Sequence, residues 1–128
     1  MSAVIRQGRY QGLTGNGVTE YRGIPYALPP LGEHRFKAPR PLPEGDNAVA
    51  ADHYPQPSLQ MKNPLMGVNE SSEDCLYLNI WVPEGEGPFP VMVWFHGGAY
   101  LAGSISQPLY NGAELARSQH VVVVNAAY

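Results

Sequence analysis

The stretch from Val91 to Val124 constrains this chain more than any other. It holds an apolar run, Val91 to Phe95, then a break at His96-Gly97-Gly98. A segment of helical character follows from Leu109 to Ser118, and then four valines, Val121 to Val124. Short apolar runs bounded by breakers read as buried strands. Strand, glycine-rich turn, helix, strand is a βαβ unit, which implies a parallel pair joined by a right-handed crossover. Leu115 and Ala116 are expected on the buried side of the helix.

Upstream, Cys75 to Val82 reads as a strand of period two. Leu76, Leu78, Ile80 and Val82 take one face, and Cys75, Tyr77, Asn79 and Trp81 the other. Both faces are largely apolar, so cover is expected on both sides. Pro83 ends the strand, and Glu84-Gly85-Glu86-Gly87 makes a polar turn. A short hairpin to Val91–Phe95 is therefore expected, with the two strands antiparallel. Gly17 to Arg22 reads as a strand after the turn signal Gly15-Asn16-Gly17, with Tyr10 to Leu13 as its partner. The expected fold is α/β: a mixed, mostly parallel sheet with antiparallel early strands. The last strand, at Val121–Val124, has no helix after it, so the chain reads as an incomplete domain.

Composition narrows the function. The chain has 128 residues, 44% apolar and 15% charged, with net charge -3. That balance suits one globular domain. It carries no basic footprint for nucleic acid and nothing to attract it to an acidic membrane. No run approaches the roughly 20 apolar residues of a membrane span. Nine of the 13 prolines fall between Pro25 and Pro64. They define a long irregular arm, from Ile24 to about Asn69, that needs a large surface to lie against. Cys75 is the sole cysteine, so no internal disulfide forms. The first residues lack the apolar core of a signal peptide, which gives a cytoplasmic expectation. On that basis the glycosylation pattern at Asn69-Glu70-Ser71 is read as chance.

Three segments then coincide. The first is Tyr21-Arg22-Gly23-Ile24-Pro25-Tyr26-Ala27-Leu28-Pro29-Pro30-Leu31-Gly32, followed by Arg35-Phe36 and Pro39. The second is Glu73-Asp74-Cys75-Leu76-Tyr77-Leu78-Asn79-Ile80-Trp81-Val82-Pro83. The third is Val91-Met92-Val93-Trp94-Phe95-His96-Gly97-Gly98-Ala99-Tyr100, continuing through Gly103-Ser104 to Leu109-Tyr110-Asn111-Gly112. In this order they resemble the amino-terminal portion of the type-B carboxylesterases, the family of para-nitrobenzyl esterases and cholinesterases. The resemblance covers nearly the whole chain.

It implies an α/β-hydrolase fold and hydrolysis of small-molecule carboxylic esters, without a cofactor. That family uses a Ser on a Gly-x-Ser-x-Gly elbow, then an acid, then a His. The present sequence contains no such elbow: after Gly103-Ser104, Ser106 stands where the second glycine should be. All three triad members are therefore expected downstream, in the remainder of the hydrolase domain.

What the resemblance leaves to this chain is an oxyanion hole. Backbone N–H groups fixed in advance stabilise the negative charge that develops on an attacked carbonyl oxygen. Carried over, the donors are the amides of Gly98 and Ala99. The plainer reading is a Gly97-Gly98 turn that only links strand to helix. His96 sits beside these glycines, but the triad His should come last in the chain, so His96 is expected to orient the loop. Tyr100 and Leu101 read equally as pocket lining or as packing. Arg35 and Glu73 match positions that form an ion pair in relatives, tying the arm to the sheet. Cys75 matches a position that is disulfide-bonded in secreted relatives, and Tyr54 stands where its partner would be. A buried, inert thiol follows. His34, His53 and His120 show no metal-ligand spacing.

The leading expectation is an esterase segment, inactive alone. A non-catalytic, adhesion-type relative and a short chain completed by a second chain are the alternatives.

Overall fold

The computed structural model describes residues 2–5, 7–64 and 68–128. Part of the Pro-rich arm, at 65–67, lies outside the described residues. Strand β1 (Ser2–Ile5) runs antiparallel to β2 (Gly8–Gln11), which pairs in parallel with β5 (Ala48–Ala50) from the arm. A larger sheet takes β3 (Leu13–Gly15), β4 (Val18–Pro25), β6 (Tyr77–Pro83), β7 (Val91–Phe95) and β8 (Val122–Ala126), in the order β3-β4-β6-β8-β7.

The hairpin β3–β4 turns on Asn16 and Gly17, both with positive φ (53° and 78°). Such two-residue turns match the twist of the flanking strands. The partner of β4 is thus Leu13–Gly15, not Tyr10–Leu13 as expected. Tyr10 lies in β2, and Ala51 bridges the two sheets at this point. The Ala51 N–H donates to the Gln11 carbonyl oxygen and the Ala51 oxygen accepts from Arg22 N, both at 2.9 Å.

The two-faced character of β6 is as its alternation predicts. On one side Leu78, Ile80 and Val82 pack against Tyr10, Tyr21, Ile24 and Ala51. On the other, Trp81 is fully buried with Val18, Val123 and Ala116. Truncating a buried ring of this size costs about 3–5 kcal/mol. Ala116 belongs to the only α-helix among the described residues, α1 (Ala113–Gln119), which covers this side of the sheet.

The βαβ unit is present: β7 and β8 are adjacent and parallel, from Val91 opposite Val122 to Phe95 opposite Ala126. The expected β6–β7 hairpin is not. Strand β8 pairs antiparallel with β6 and lies between them. The connection carries Pro88 and Pro90, which lack N–H donors, and is longer than a tight turn. In the larger sheet the described pairings are antiparallel except for β7–β8, so the mixed sheet and its antiparallel early strands stand as expected, whereas the mostly parallel character does not appear in this segment, which holds a single parallel pair in that sheet.

Three details differ from expectation. The helical segment is split into a 3₁₀ turn at Pro108–Tyr110 and α1. Leu115 is exposed, whereas Ala116 is buried. Strand β7, read as buried, is exposed along its whole length, because it forms the sheet edge. Among the described residues no helix is long and apolar enough to cross a membrane.

Candidate active-site loop

Strand β7 delivers the chain into a loop from His96 to Gly103. Its backbone carries positive φ at Gly98 (127°), Ala99 (53°), Tyr100 (59°) and Gly103 (128°). The Gly98 carbonyl oxygen accepts from Leu101 N at 2.9 Å and from Ala102 N at 3.2 Å, closing a tight turn. A Cβ at Gly98 would lie 1.7 Å from the Ala102 carbonyl oxygen, so only glycine fits. Gly103 is equally constrained: a Cβ there would lie 2.2 Å from His96 Nδ1 and 2.6 Å from the Gly97 oxygen.

Ala99 and Tyr100 have side chains yet occupy the left-handed region. Such residues cost of order 1–3 kcal/mol each and persist where surrounding structure fixes them, often at ligand clamps. Neither the Gly98 nor the Ala99 amide donates a hydrogen bond within the protein, among the described residues. Both are exposed. The loop therefore presents successive uncommitted N–H donors on a strained backbone. That arrangement can stabilise an anion.

His96 is buried. Its Nδ1 donates to the Gly97 carbonyl oxygen at 2.9 Å. Its own carbonyl oxygen accepts from the Tyr128 hydroxyl at 2.7 Å, and the two rings stack with centroids 4.6 Å apart. Tyr100 and Leu101 are exposed, Tyr100 meeting only the Tyr128 ring edge-on at 5.7 Å. Neither packs into a core. Of the residues singled out in the sequence, His96, Gly97, Gly98, Ala99, Tyr100 and Leu101 share this loop. Arg35 and Glu73 do not. They form an ion pair between Arg35 Nε and Glu73 Oε1, joining the arm to the approach to β6. Both side chains are partly exposed, and pairs of that kind contribute about 0–1 kcal/mol.

Residues of ordinary polar type, given no role by the sequence, secure the segment after the loop. Gln60 bonds both the N–H and the C=O of Gly103, at 2.9 and 2.7 Å. Fully buried Asn79 accepts from Gly23 N at 3.0 Å and donates to the Ile105 oxygen at 3.0 Å. Ser106 Oγ donates to the Pro55 oxygen at 2.8 Å. The alternation of β6 does place Asn79 on the inner face, and an amide there is a signal of a buried tie.

Cys75 is free and buried, and burial pushes its thiol up, reinforced by Asp74 and Glu73. A thiol so shifted is a poor nucleophile at neutral pH. Tyr54 donates its hydroxyl to Glu20 Oε1 at 2.7 Å, and the Arg22 guanidinium lies 4.5 Å above its ring. Burial, with the bond to Glu20, pushes the Tyr54 hydroxyl up to about 12.

The sheet order, the βαβ unit and the glycine loop are those of the amino-terminal part of an α/β-hydrolase. Residues 3–128 match the model of the carboxylesterase family. The chain is 44% identical over 126 residues to the para-nitrobenzyl esterase of Bacillus subtilis, covering 94% of this chain and 26% of that protein. Against the cholinesterase of Mus musculus it is 40% identical, covering 96% of this chain and 23% of the relative. A solved thermophilic PNB esterase superposes with a TM-score of 0.92 at 41% identity, over 99% of this chain and 27% of the other. The carboxylesterase of Geobacillus stearothermophilus gives 0.89 at 41% identity, over 99% and 26%. The chain belongs to the carboxylesterase family. It spans about a quarter of the length of these relatives.

Proposed function

We propose that residues 1–128 are the amino-terminal segment of a serine carboxylic-ester hydrolase domain, supplying the oxyanion-hole amides of Gly98 and Ala99. The observation that carries this reading is the loop itself: two adjacent amides without protein acceptors, on a backbone fixed by Gly98 and Gly103. An ester carbonyl seated against them would have its developing negative charge met by fixed donors. Each such donor is worth roughly 100- to 1000-fold in rate. Tyr100 and Leu101, exposed on the same loop, would then line the ester-binding pocket.

The nucleophile, the acid and the general base come from the rest of the hydrolase domain in this reading. His96 is not the base in this reading, because the family's base follows the Ser and the acid in chain order; its Nδ1 bond to Gly97 and its stack on Tyr128 suit a loop-orienting role. The segment alone is thus inactive. A reducing, cytoplasmic setting fits a free, buried Cys75.

The test has two arms, both using a chromogenic acetate or butyrate ester. The chain alone should show neither burst nor turnover. Grafted in place of the matching quarter of the Bacillus subtilis relative, it should support turnover. Turnover by the isolated chain that survives His96→Ala would overturn the reading.

A further inference from the structure

We infer that Gln60 is a positioning residue of the oxyanion loop, clamping it from the Pro-rich arm. The inference rests on the reading of Gly98 and Ala99 given above. Gln60 is 43 residues from Gly103, yet its side-chain amide grips that residue on both sides. Oε1 accepts from Gly103 N at 2.9 Å and Nε2 donates to the Gly103 oxygen at 2.7 Å. Nε2 also donates to the Ser58 oxygen at 3.0 Å, which holds the amide in one orientation. The Gln60 amide therefore makes three hydrogen bonds.

Gly103 matters to the loop because it is wedged against the loop's other end. A Cβ at Gly103 would collide with His96 Nδ1 and the Gly97 oxygen, so the backbone at Gly103 abuts the residues that open the loop. The turn between them is held by only two bonds of its own, from Leu101 N and Ala102 N to the Gly98 oxygen. Those bonds oppose left-handed strain at Ala99 and Tyr100. Fixing Gly103 closes the ring of contacts and keeps Gly98 and Ala99 in place. The downstream ties, Asn79 to Ile105 and Ser106 to Pro55, hold the chain beyond Gly103 and not the turn itself.

The bonds, rather than the bulk, of Gln60 do this, which two substitutions separate. Gln60→Met keeps length and shape and removes every side-chain hydrogen bond. Gln60→Glu as a carboxylate loses the donor toward the Gly103 oxygen, but once protonated it offers one donor and one acceptor again. The experiment is amide hydrogen exchange of the full 128-residue chain, read at Leu101 and Ala102, whose bonds go to Gly98 and not to Gln60. Gln60→Met should raise exchange there by about tenfold or more, with the β4–β6 amides unchanged. Gln60→Glu should do the same at pH 7 and return to the parent's protection, compared at equal pH, below its ordinary pKa of about 4.3. If Gln60→Met also opens the sheet, the acid recovery of Gln60→Glu decides. Unchanged exchange at Leu101 and Ala102 in Gln60→Met overturns the inference. A parent chain with no protection at those amides overturns it equally. No ester turnover enters this readout. A folded graft without ester turnover would sink the proposed function and leave the clamp standing, and the reverse also holds.

Discussion

Tyr128 holds His96 twice. Its hydroxyl donates to the His96 carbonyl oxygen at 2.7 Å, and its ring stacks on the imidazole with an interplanar angle of 15°. The end of the segment after β8 is thereby fastened to the start of the glycine loop. The two contacts are separable. Tyr128→Phe keeps the stack and should cost about 1 kcal/mol, the net worth of one hydrogen bond. Tyr128→Ala removes both and should cost more. Urea unfolding followed by tryptophan fluorescence checks this, and equal losses would show that the stack contributes nothing.

Asn79 bridges Gly23 N and the Ile105 oxygen from a fully buried position. Asn79→Ala would strand both groups, and each unsatisfied buried group costs about 1–3 kcal/mol. A destabilisation of about 2 kcal/mol or more is expected in the same unfolding assay. Asn79→Asp keeps the acceptor for Gly23 but sets a carboxylate against the Ile105 carbonyl. It should therefore be worse at pH 7 than in acid. An alanine variant as stable as the parent would show that water replaces the bridge at no cost.

Much of the fold is legible in the sequence. The alternation of Leu78, Ile80 and Val82 against Asn79 and Trp81 identified a strand with two packed faces. The order from Val91 to Val124 identified the βαβ unit. The expected hairpin from β6 to β7 is absent because local turn chemistry cannot report that β8, far later in the chain, inserts between them. The expected pairing of Tyr10 with β4 fails for a similar reason: Ala51, from the distant arm, takes the hydrogen bonds of Gln11 and Arg22. The apolar run of β7 signals a covered strand, but among the described residues the strand lies exposed at the sheet edge. In the candidate site the glycines were legible from type and spacing. Gln60 was not, since a glutamine in a Pro-rich arm carries no signal until its partner is known.

Opposite shifts set the pH range of stability. Burial alone would raise Glu20, but hydrogen bonds from Arg22 and Tyr54 outweigh it and hold the carboxyl below its ordinary 4.5. Its contribution is present above that value and is lost as pH falls through the lower folded one. Cys75, Tyr54 and Tyr77 are all raised, chiefly by burial, the two tyrosines to about 12. Their contributions are full below the ordinary values of 9.0 and 10.0 and are lost as pH rises through the folded ones. Denaturation midpoints against pH should form a plateau that falls on the acid side below about pH 4.5 and on the alkaline side above about pH 9. Tyr54→Phe should flatten the alkaline fall. A midpoint that rises between pH 9 and 12 would contradict this account.

Strand β7 lies at the sheet edge with its five side chains between 36% and 62% exposed. Beside it, Met92, Trp94, Leu109, Tyr110, Leu115 and Val123 line an apolar groove of about 470 Å³. A flat apolar edge is a template for strand pairing. The isolated chain should associate with rising concentration in sedimentation velocity, and Val93→Lys should shift it toward monomer. Concentration-independent monomer in the parent would show that the edge is inert.

The central claim is that Gly98 and Ala99 present amides to a developing oxyanion. It is tested most directly by kcat for ester hydrolysis in the graft into the Bacillus subtilis para-nitrobenzyl esterase. Ala99→Gly keeps the N–H and relieves the left-handed strain, so kcat should hold or rise slightly. Gly98→Ala forces a Cβ against the Ala102 oxygen and displaces both amides, so kcat should fall roughly 100-fold or more with the graft still folded. A Gly98→Ala graft that keeps the parent's kcat would contradict the account.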